Sequence, residues 1–184
     1  ALPVLQDFKA PATVFIVTEM LGEKAKWNET ATNTQLMTDD EIRYIKAQGI
    51  SLGSHTFNHA RLTTLNNDDM LCQIRDSRER LASLGETFYA LSYPWGQYST
   101  EIANAVKYSG YACALAVGEK TRITKNDIYH LPRVTIKQDA EINYFGILLK
   151  RRSLVKELRR RYGLFLKWKE STKVIVTRYK GNNI

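Results

Sequence analysis

The sequence has few cysteines and no long apolar run, and each shortage excludes a class of protein. Two cysteines, Cys72 and Cys113, are too few for a disulfide framework or a cysteine zinc site. We expect both thiols to be small buried side chains. No apolar run approaches the ~18–20 residues that a membrane-spanning helix needs. With 184 residues, 43% hydrophobic and 25% charged, the chain has the composition of one globular domain.

The net charge of +8 is concentrated near the C-terminus. Residues 150–180 hold twelve lysines and arginines against two acidic residues, Glu157 and Glu170, so the rest of the chain is nearly neutral. Charge asymmetry of this kind is informative about binding partners more than about the fold. We predict that the chain has two parts. Residues 1–138 form the main domain, and residues 139–184 form a basic, helical C-terminal extension.

Short apolar segments alternate with helical patterns along the main domain. Strands are predicted in the β-branched or aromatic runs 12–18, 50–53, 88–92, 111–117 and 131–136. Helices are predicted over 38–49, 68–85 and 100–109, the first from the capping box Thr38-Asp39-Asp40-Glu41. A further helix is predicted over 141–162 and a short edge strand at 174–176. This alternation is typical of βαβ units, so we expect an α/β fold with a parallel sheet.

Two of the three histidines, His55 and His59, directly follow the second predicted strand. Ligand sites of parallel sheets gather at the carboxyl ends of the strands. On one turn of helix a spacing of four would put both imidazoles on one face, close enough to share a metal ion. The spacing alone leaves a coincidental pair open.

Four segments of the chain resemble one known family. They are Gly49–Leu62 with its Ser-His-Thr and second histidine, the Pro-Ala-Thr-Val-Phe strand at 11–15, Tyr-Pro-Trp-Gly-Gln-Tyr at 93–98, and Leu-Pro-Arg-Val-Thr-Ile at 131–136. In order and spacing they resemble the motifs of the polysaccharide deacetylase (NodB-type) family, the fourth family of carbohydrate esterases. The third and fourth are similar to its poly-N-acetylglucosamine deacetylase branch. The resemblance implies a distorted (β/α) barrel.

The same resemblance implies a metal-dependent hydrolase. In this family two histidines and an aspartate hold a divalent metal, so His55 and His59 are the implied ligands. Zinc is the expected metal, with cobalt, nickel or manganese as alternatives. The implied reaction removes N-acetyl groups from a polysaccharide or oligosaccharide, releasing acetate.

The third motif implies the wall of a substrate groove. The residues expected to bind substrate are Tyr93, Pro94, Trp95 and Tyr98. Trp95 would also take part in catalysis, with its backbone N–H facing the developing oxyanion and its indole stacking on a sugar. A turn with an aromatic core anchor is the alternative for this segment.

Two further residues are candidates for catalysis. Arg133, in the strand of the fourth motif, would orient the catalytic carboxylate. His130 is a candidate general acid, although it precedes Leu131 whereas the family's late histidine follows the corresponding leucine. An ordinary surface arginine and an ordinary surface histidine are the alternatives.

One motif of the family has no counterpart in this sequence. It is Thr-Phe-Asp-Asp, whose first aspartate is the general base and whose second is the third metal ligand. We therefore expect an N-terminally truncated domain that lacks the first barrel strand and hydrolyses its substrate poorly. A non-catalytic carbohydrate-binding relative is the alternative. Because family members commonly act outside the cytoplasm, the resemblance favours an extracellular or cell-envelope location.

The basic segment 150–180 interleaves its charges with Tyr162, Phe165, Trp168 and Tyr179. A solvated face, a contact with an anionic membrane surface or acidic polymer, and nucleic-acid binding remain open, the last least favoured because no recognition motif is present. The membrane alternative predicts co-sedimentation with vesicles that contain anionic lipid but not with neutral ones. Equal pelleting with both vesicle types would exclude that alternative.

Overall fold

A parallel five-stranded sheet is the centre of the fold. The computed structural model describes residues 1–25, 27, 34–117, 128–136 and 141. The strands are β1 (Thr13–Ile16), β2 (Ser51–Ser54), β3 (Ala90–Ser92), β4 (Cys113–Val117) and β5 (Leu131–Arg133). Their order in the sheet equals their order in the chain, and every pair is parallel. The predicted α/β architecture is confirmed.

In the described part of the chain, one helix precedes β1 and three more connect the first four strands. They are α1 (Leu2–Asp7), α2 (Asp39–Ala47), α3 (Asn67–Ser83) and α4 (Thr100–Tyr108), and single 3-10 turns lie at Leu62–Thr64 and Pro94–Gly96. No helix in the described ranges combines the length and apolarity needed to cross a membrane. Apart from residue 141, the predicted helix over 141–162 and strand over 174–176 lie outside the described residues, and the domain boundary after residue 138 stays a prediction.

The strand order is that of a (β/α) barrel. In doubly wound sheets the direction of winding reverses once, and the reversal makes the ligand crevice. Here β1 to β5 follow one another without reversal, as the strands of a (β/α) barrel do. All five therefore end at the same edge, and the loops after them meet there.

Side-chain caps start the helices where the sequence predicts them. Thr38 Oγ1 accepts from the backbone N–H of Glu41 at 3.3 Å, and Glu41 Oε2 accepts from the N–H of Thr38 at 2.8 Å. The capping box of α2 is therefore formed on both sides. Asn66 Oδ1 caps α3 through the N–H of Asp69 at 2.9 Å.

Helix α3 packs across the sheet and joins two apolar clusters. Ile74 belongs to the larger cluster, which lies between α3, α4 and strands β3 and β4. Leu81, about two helical turns further along the same face, belongs to the cluster with Ile42 and Leu52. Both α3 side chains are completely buried. Cys72 instead lies exposed on α3, so the expectation that its thiol is buried is wrong.

The turn after β3 is packed tightly against the end of β4. Gly96 has φ of +71°, and a Cβ added there would lie 2.5 Å from the backbone nitrogen of Val117. A side chain at this position would therefore push Trp95 and its turn away from the sheet. Gly49 has a similar φ of +87° but open space around it.

These two glycines separate backbone strain from steric contact. We expect Gly49→Ala to cost about 1–2 kcal/mol of unfolding free energy, the cost of a left-handed conformation. Gly96→Ala carries the same strain plus the overlap with Val117, which adds about 1–3 kcal/mol. Urea unfolding of both variants measures the difference. Equal losses would show that the turn can move away from β4 freely.

Candidate active site

His55 is held between two neighbouring strands at the carboxyl edge of the sheet. It directly follows β2, and its backbone N–H donates to Ile16 O of β1 at 2.7 Å. Its ring Nδ1 lies 2.5 Å from Ser92 O, the last residue of β3. A carbonyl oxygen can only accept, so Nδ1 carries the proton and the lone pair of the neutral ring is on Nε2.

The two histidines lie on a loop, so the prediction of a helical turn between them is wrong. Thr56 and His59 have φ of +67° and +65°, in the left-handed region that side chains rarely adopt. The loop instead continues beside β1, where Thr18 N–H donates to Thr56 O at 3.3 Å and Glu19 N–H to Phe57 O at 2.9 Å. Strained backbone of this kind is often found at functional sites.

The loop nevertheless brings the two imidazoles together. The ring centroids of His55 and His59 are 4.8 Å apart, with the planes at 77°. Trp95, from the turn after β3, meets His59 edge-on at 4.5 Å. The histidine pair is therefore next to the tryptophan turn, as the sequence predicts.

Sequence reasoning missed Trp27. Its indole is stacked on the imidazole of His59, with centroids 4.1 Å apart and the planes only 12° from parallel. Trp27 belongs to the polar segment between β1 and α2, where neither hydrophobic periodicity nor a motif marks it. Only the folded chain shows that it contacts the site.

Buried hydroxyl groups hold the start of the histidine loop, residues 55–59, by hydrogen bonds. Ser54 Oγ accepts from the N–H of Thr56 at 3.1 Å and makes a short hydrogen bond with Ser77 Oγ of α3. Ser54, Thr56 and Ser77 are all fully buried. The start of the loop is therefore hydrogen-bonded to α3, which restricts its movement.

Burial keeps both imidazoles neutral. Desolvation lowers the pKa of His55 to about 4, against the opposing hydrogen bond to Ser92 and with a smaller contribution from the charge of Arg133. Desolvation, followed by the proximity of His55, lowers the pKa of His59 to about 3. Neutral imidazole is the form that binds a metal ion.

In the turn after β3 the indole of Trp95 is accessible, whereas the two residues before it are buried. Tyr93 is 0% exposed and Pro94 is also buried, so neither offers surface to a ligand here. Trp95 is half-buried, and the guanidinium of Arg61 lies 4.9 Å from the centroid of its ring. Arg61 also donates to Gln97 at 3.1 Å. Trp95 and Tyr98, which is 37% exposed, are thus the parts of this motif that offer surface, and Trp95 is the one in contact with His59.

His130 belongs to a separate aromatic stack. Its ring is stacked on Tyr98 at 5.2 Å, and Tyr98 is stacked on Tyr93 at 5.3 Å. The ring contacts of His55 and His59 are with each other and with the two tryptophans. The ring contact shown for His130 is the one with Tyr98, and its role as a general acid stays a prediction.

Arg133 ends β5 beside the pair. Its side chain donates to Ala116 O and Tyr93 O, both at 3.4 Å. Burial lowers its pKa to about 10, so it stays charged at neutral pH. The two acceptors of Arg133 are backbone carbonyls. The predicted pairing of Arg133 with a catalytic carboxylate stays a prediction.

The histidine pair fits a metal ion. His59 Nδ1 is buried without a hydrogen-bond partner, and His55 directs its proton to Ser92, which frees Nε2. Both are donors that zinc accepts. Among the described residues no third histidine, cysteine, aspartate or glutamate completes the group. The described residues therefore present two of the three ligands that the resemblance implies.

Comparison with protein families agrees with this geometry. The family model described as polysaccharide deacetylase matches residues 1–114. The chain belongs to the polysaccharide deacetylase family. Members of this family are hydrolases that generally depend on a metal ion.

Individual relatives give the same assignment. Poly-beta-1,6-N-acetyl-D-glucosamine N-deacetylase of Staphylococcus aureus is 26% identical over 161 residues, 82% of this chain and 52% of the relative. The chain spans about half the length of the curated relatives it matches.

Solved structures confirm the predicted barrel fold. The Streptococcus pyogenes deacetylase PplD has a TM-score of 0.67 at 22% identity, covering 79% of this chain and 62% of that one. IcaB from Ammonifex degensii has a TM-score of 0.63 at 16% identity, covering 82% and 66%.

The lowered histidine pKa values predict an acid-sensitive fold. Well above pH 6.5 both rings are neutral in the folded and in the unfolded chain, so protonation does not lower the free energy of unfolding there. Below pH 6.5 only the unfolded chain takes up protons, so stability falls as the pH falls towards 4. At pH 5 the two rings should together take up about two protons from the solvent when the metal-free protein unfolds.

The measurement is urea unfolding between pH 7 and 5, above the range where carboxylates titrate. The double variant His55→Gln/His59→Gln should lose this pH dependence. His130→Gln removes a histidine from the separate stack and should keep it. If the unfolding free energy of the double variant fell with pH as steeply as that of the unmodified chain, these two histidines would not be the cause of the acid sensitivity.

Proposed function

We propose that this chain is the histidine-bearing part of a metal-dependent polysaccharide N-deacetylase. The observation that carries the proposal is the neutral imidazole pair of His55 and His59 beside the half-buried Trp95. The pair lies where the carboxyl ends of parallel strands meet. An N-acetyl group presented to this edge would contact the ligand pair and the indole together.

Each residue has a separate part in the proposed reaction. His55 and His59 would hold the metal through ring nitrogens whose lone pairs are free. When bound, a divalent metal supplies the Lewis acidity that activates water and polarises an amide carbonyl. Trp95 would bind the sugar face, and the charge of Arg133 would orient a catalytic carboxylate at the same edge.

The substrate we propose is an N-acetylated polysaccharide or oligosaccharide of N-acetylglucosamine. The likeness to the staphylococcal deacetylase, whose name states a β-1,6-linked polymer, supports a β-1,6 linkage. Zinc is the metal we propose, since two imidazoles suit it, with cobalt, nickel or manganese as alternatives. The family resemblance supports an extracellular or cell-envelope location, with the basic segment as the contact for an anionic surface.

A carbohydrate-binding module without catalysis is the second candidate. The described residues place no carboxylate in a metal-binding group with the two histidines. Hydrolysis needs a general base, and a site without one would retain only binding. The two candidates differ in acetate release and agree in oligosaccharide binding.

Zinc titration by calorimetry tests the ligand pair directly. We expect the chain to bind one zinc ion weakly, because it supplies two ligands, and His55→Ala to remove the binding. Cys72→Ser is the matched control, since it removes an exposed thiol that could hold zinc elsewhere. If His55→Ala binds zinc as the unmodified chain does, His55 is not a ligand.

Acetate release from N-acetylglucosamine oligomers separates the two candidates. We expect turnover no greater than that of zinc alone, because the described site has no base. Release above that level, lost in His59→Ala, would contradict the impairment and establish the enzyme in this chain. Oligomer binding without release would favour the binding module.

A further inference from the structure

Trp27 has no place in the proposed reaction, yet its ring contact is the closest in the site. Its indole lies face to face with His59 at 4.1 Å and 12°, whereas Trp95 touches the same imidazole edge-on at 4.5 Å and 71°. His55 makes a third ring contact, also near-perpendicular. With these neighbours, His59 is only 7% exposed.

His59 needs such support more than His55 does. The ring of His55 is fixed by its hydrogen bond to Ser92 O. The Nδ1 of His59 has no hydrogen-bond partner, and the residue has a left-handed backbone with φ of +65°. Because no hydrogen bond at Nδ1 fixes the plane of this ring, its three ring contacts contribute to that orientation.

The direction of the stack is compatible with metal binding. The lone pair of an imidazole nitrogen lies in the plane of the ring, whereas Trp27 covers the face of the ring. The indole and a metal ion can therefore contact His59 at the same time. Histidine ligands are normally oriented by a second group, and loss of that group typically weakens metal binding about 10–100-fold.

We propose that Trp27 is the positioning residue of His59, holding its imidazole in the plane in which it binds the metal ion. The inference rests on the proposed function, since it concerns the same ligand pair. It adds a residue from the segment between β1 and α2 to a site otherwise built from the loops after β2 and β3 and the end of β5.

Zinc affinity of two Trp27 variants tests the positioning role. Trp27→Ala removes the stacked face and should raise the zinc dissociation constant about tenfold or more. Trp27→Phe keeps an aromatic face and should stay within about threefold of the unmodified chain. Tyr108→Ala, the matched control, removes an 82% exposed ring from α4 and should leave the affinity unchanged.

Fluorescence gives a second readout that does not depend on Trp27 being removed. In the variant Trp95→Phe/Trp168→Phe, Trp27 is the only tryptophan left of three. Ni²⁺, whose open shell quenches indole emission at short range, should quench this emission with the same midpoint as binding. Zinc, which does not quench in this way, should restore it by competition.

A metal-free measurement separates failure of this inference from failure of the proposed function. In the same single-tryptophan variant, His59→Ala should make Trp27 more accessible to acrylamide, because the stacked partner is gone. If the unmodified chain binds zinc but Trp27→Ala binds it equally well, the positioning role is wrong and the metal site stands. If the unmodified chain binds no zinc, both proposals are wrong, and the acrylamide result then reports only the stack.

Discussion

The hydrogen bond between His55 Nδ1 and Ser92 O is the interaction on which the site depends. It crosses from the loop after β2 to the end of β3, and so it requires the parallel pairing of the two strands. It also fixes the tautomer, because a carbonyl can only accept a proton. One contact thus sets the position, the orientation and the free nitrogen of His55. The ring of His59 is instead surrounded by other aromatic rings.

The energetic cost of the site is borne by the rest of the fold. Thr56, His59 and Trp95 have left-handed backbones, and the Oγ1 of Thr56 and the Oγ of Ser92 are buried without hydrogen-bond partners. Each such feature destabilises the folded state. The apolar clusters on both sides of α3, and the hydroxyl pair of Ser54 and Ser77, hold the strained loop in place. Neutral histidines and an accessible indole are the result.

The charged groups at this edge suit a reaction that develops negative charge. Arg133 is half-buried, keeps its proton and donates to carbonyl oxygens, while Arg61 lies over the ring of Trp95. Their positive charge favours an oxyanion or a carboxylate at the same place. The two histidines add no charge, because burial keeps them unprotonated.

The sequence by itself determined the order of strands and helices, the capping box of α2 and the two histidines after β2, because periodicity and capping are local patterns. The order and spacing of four motifs also identified the polysaccharide deacetylase family. Tertiary structure alone decided that His55 and His59 share a loop and not a helix, since left-handed backbone at Thr56 and His59 has no local signal in those residue types. It alone showed that Tyr93 is buried, that His130 stacks apart, and that Trp27 covers His59. Such contacts join residues far apart in the chain, and no pattern in one segment records what another segment brings to its surface.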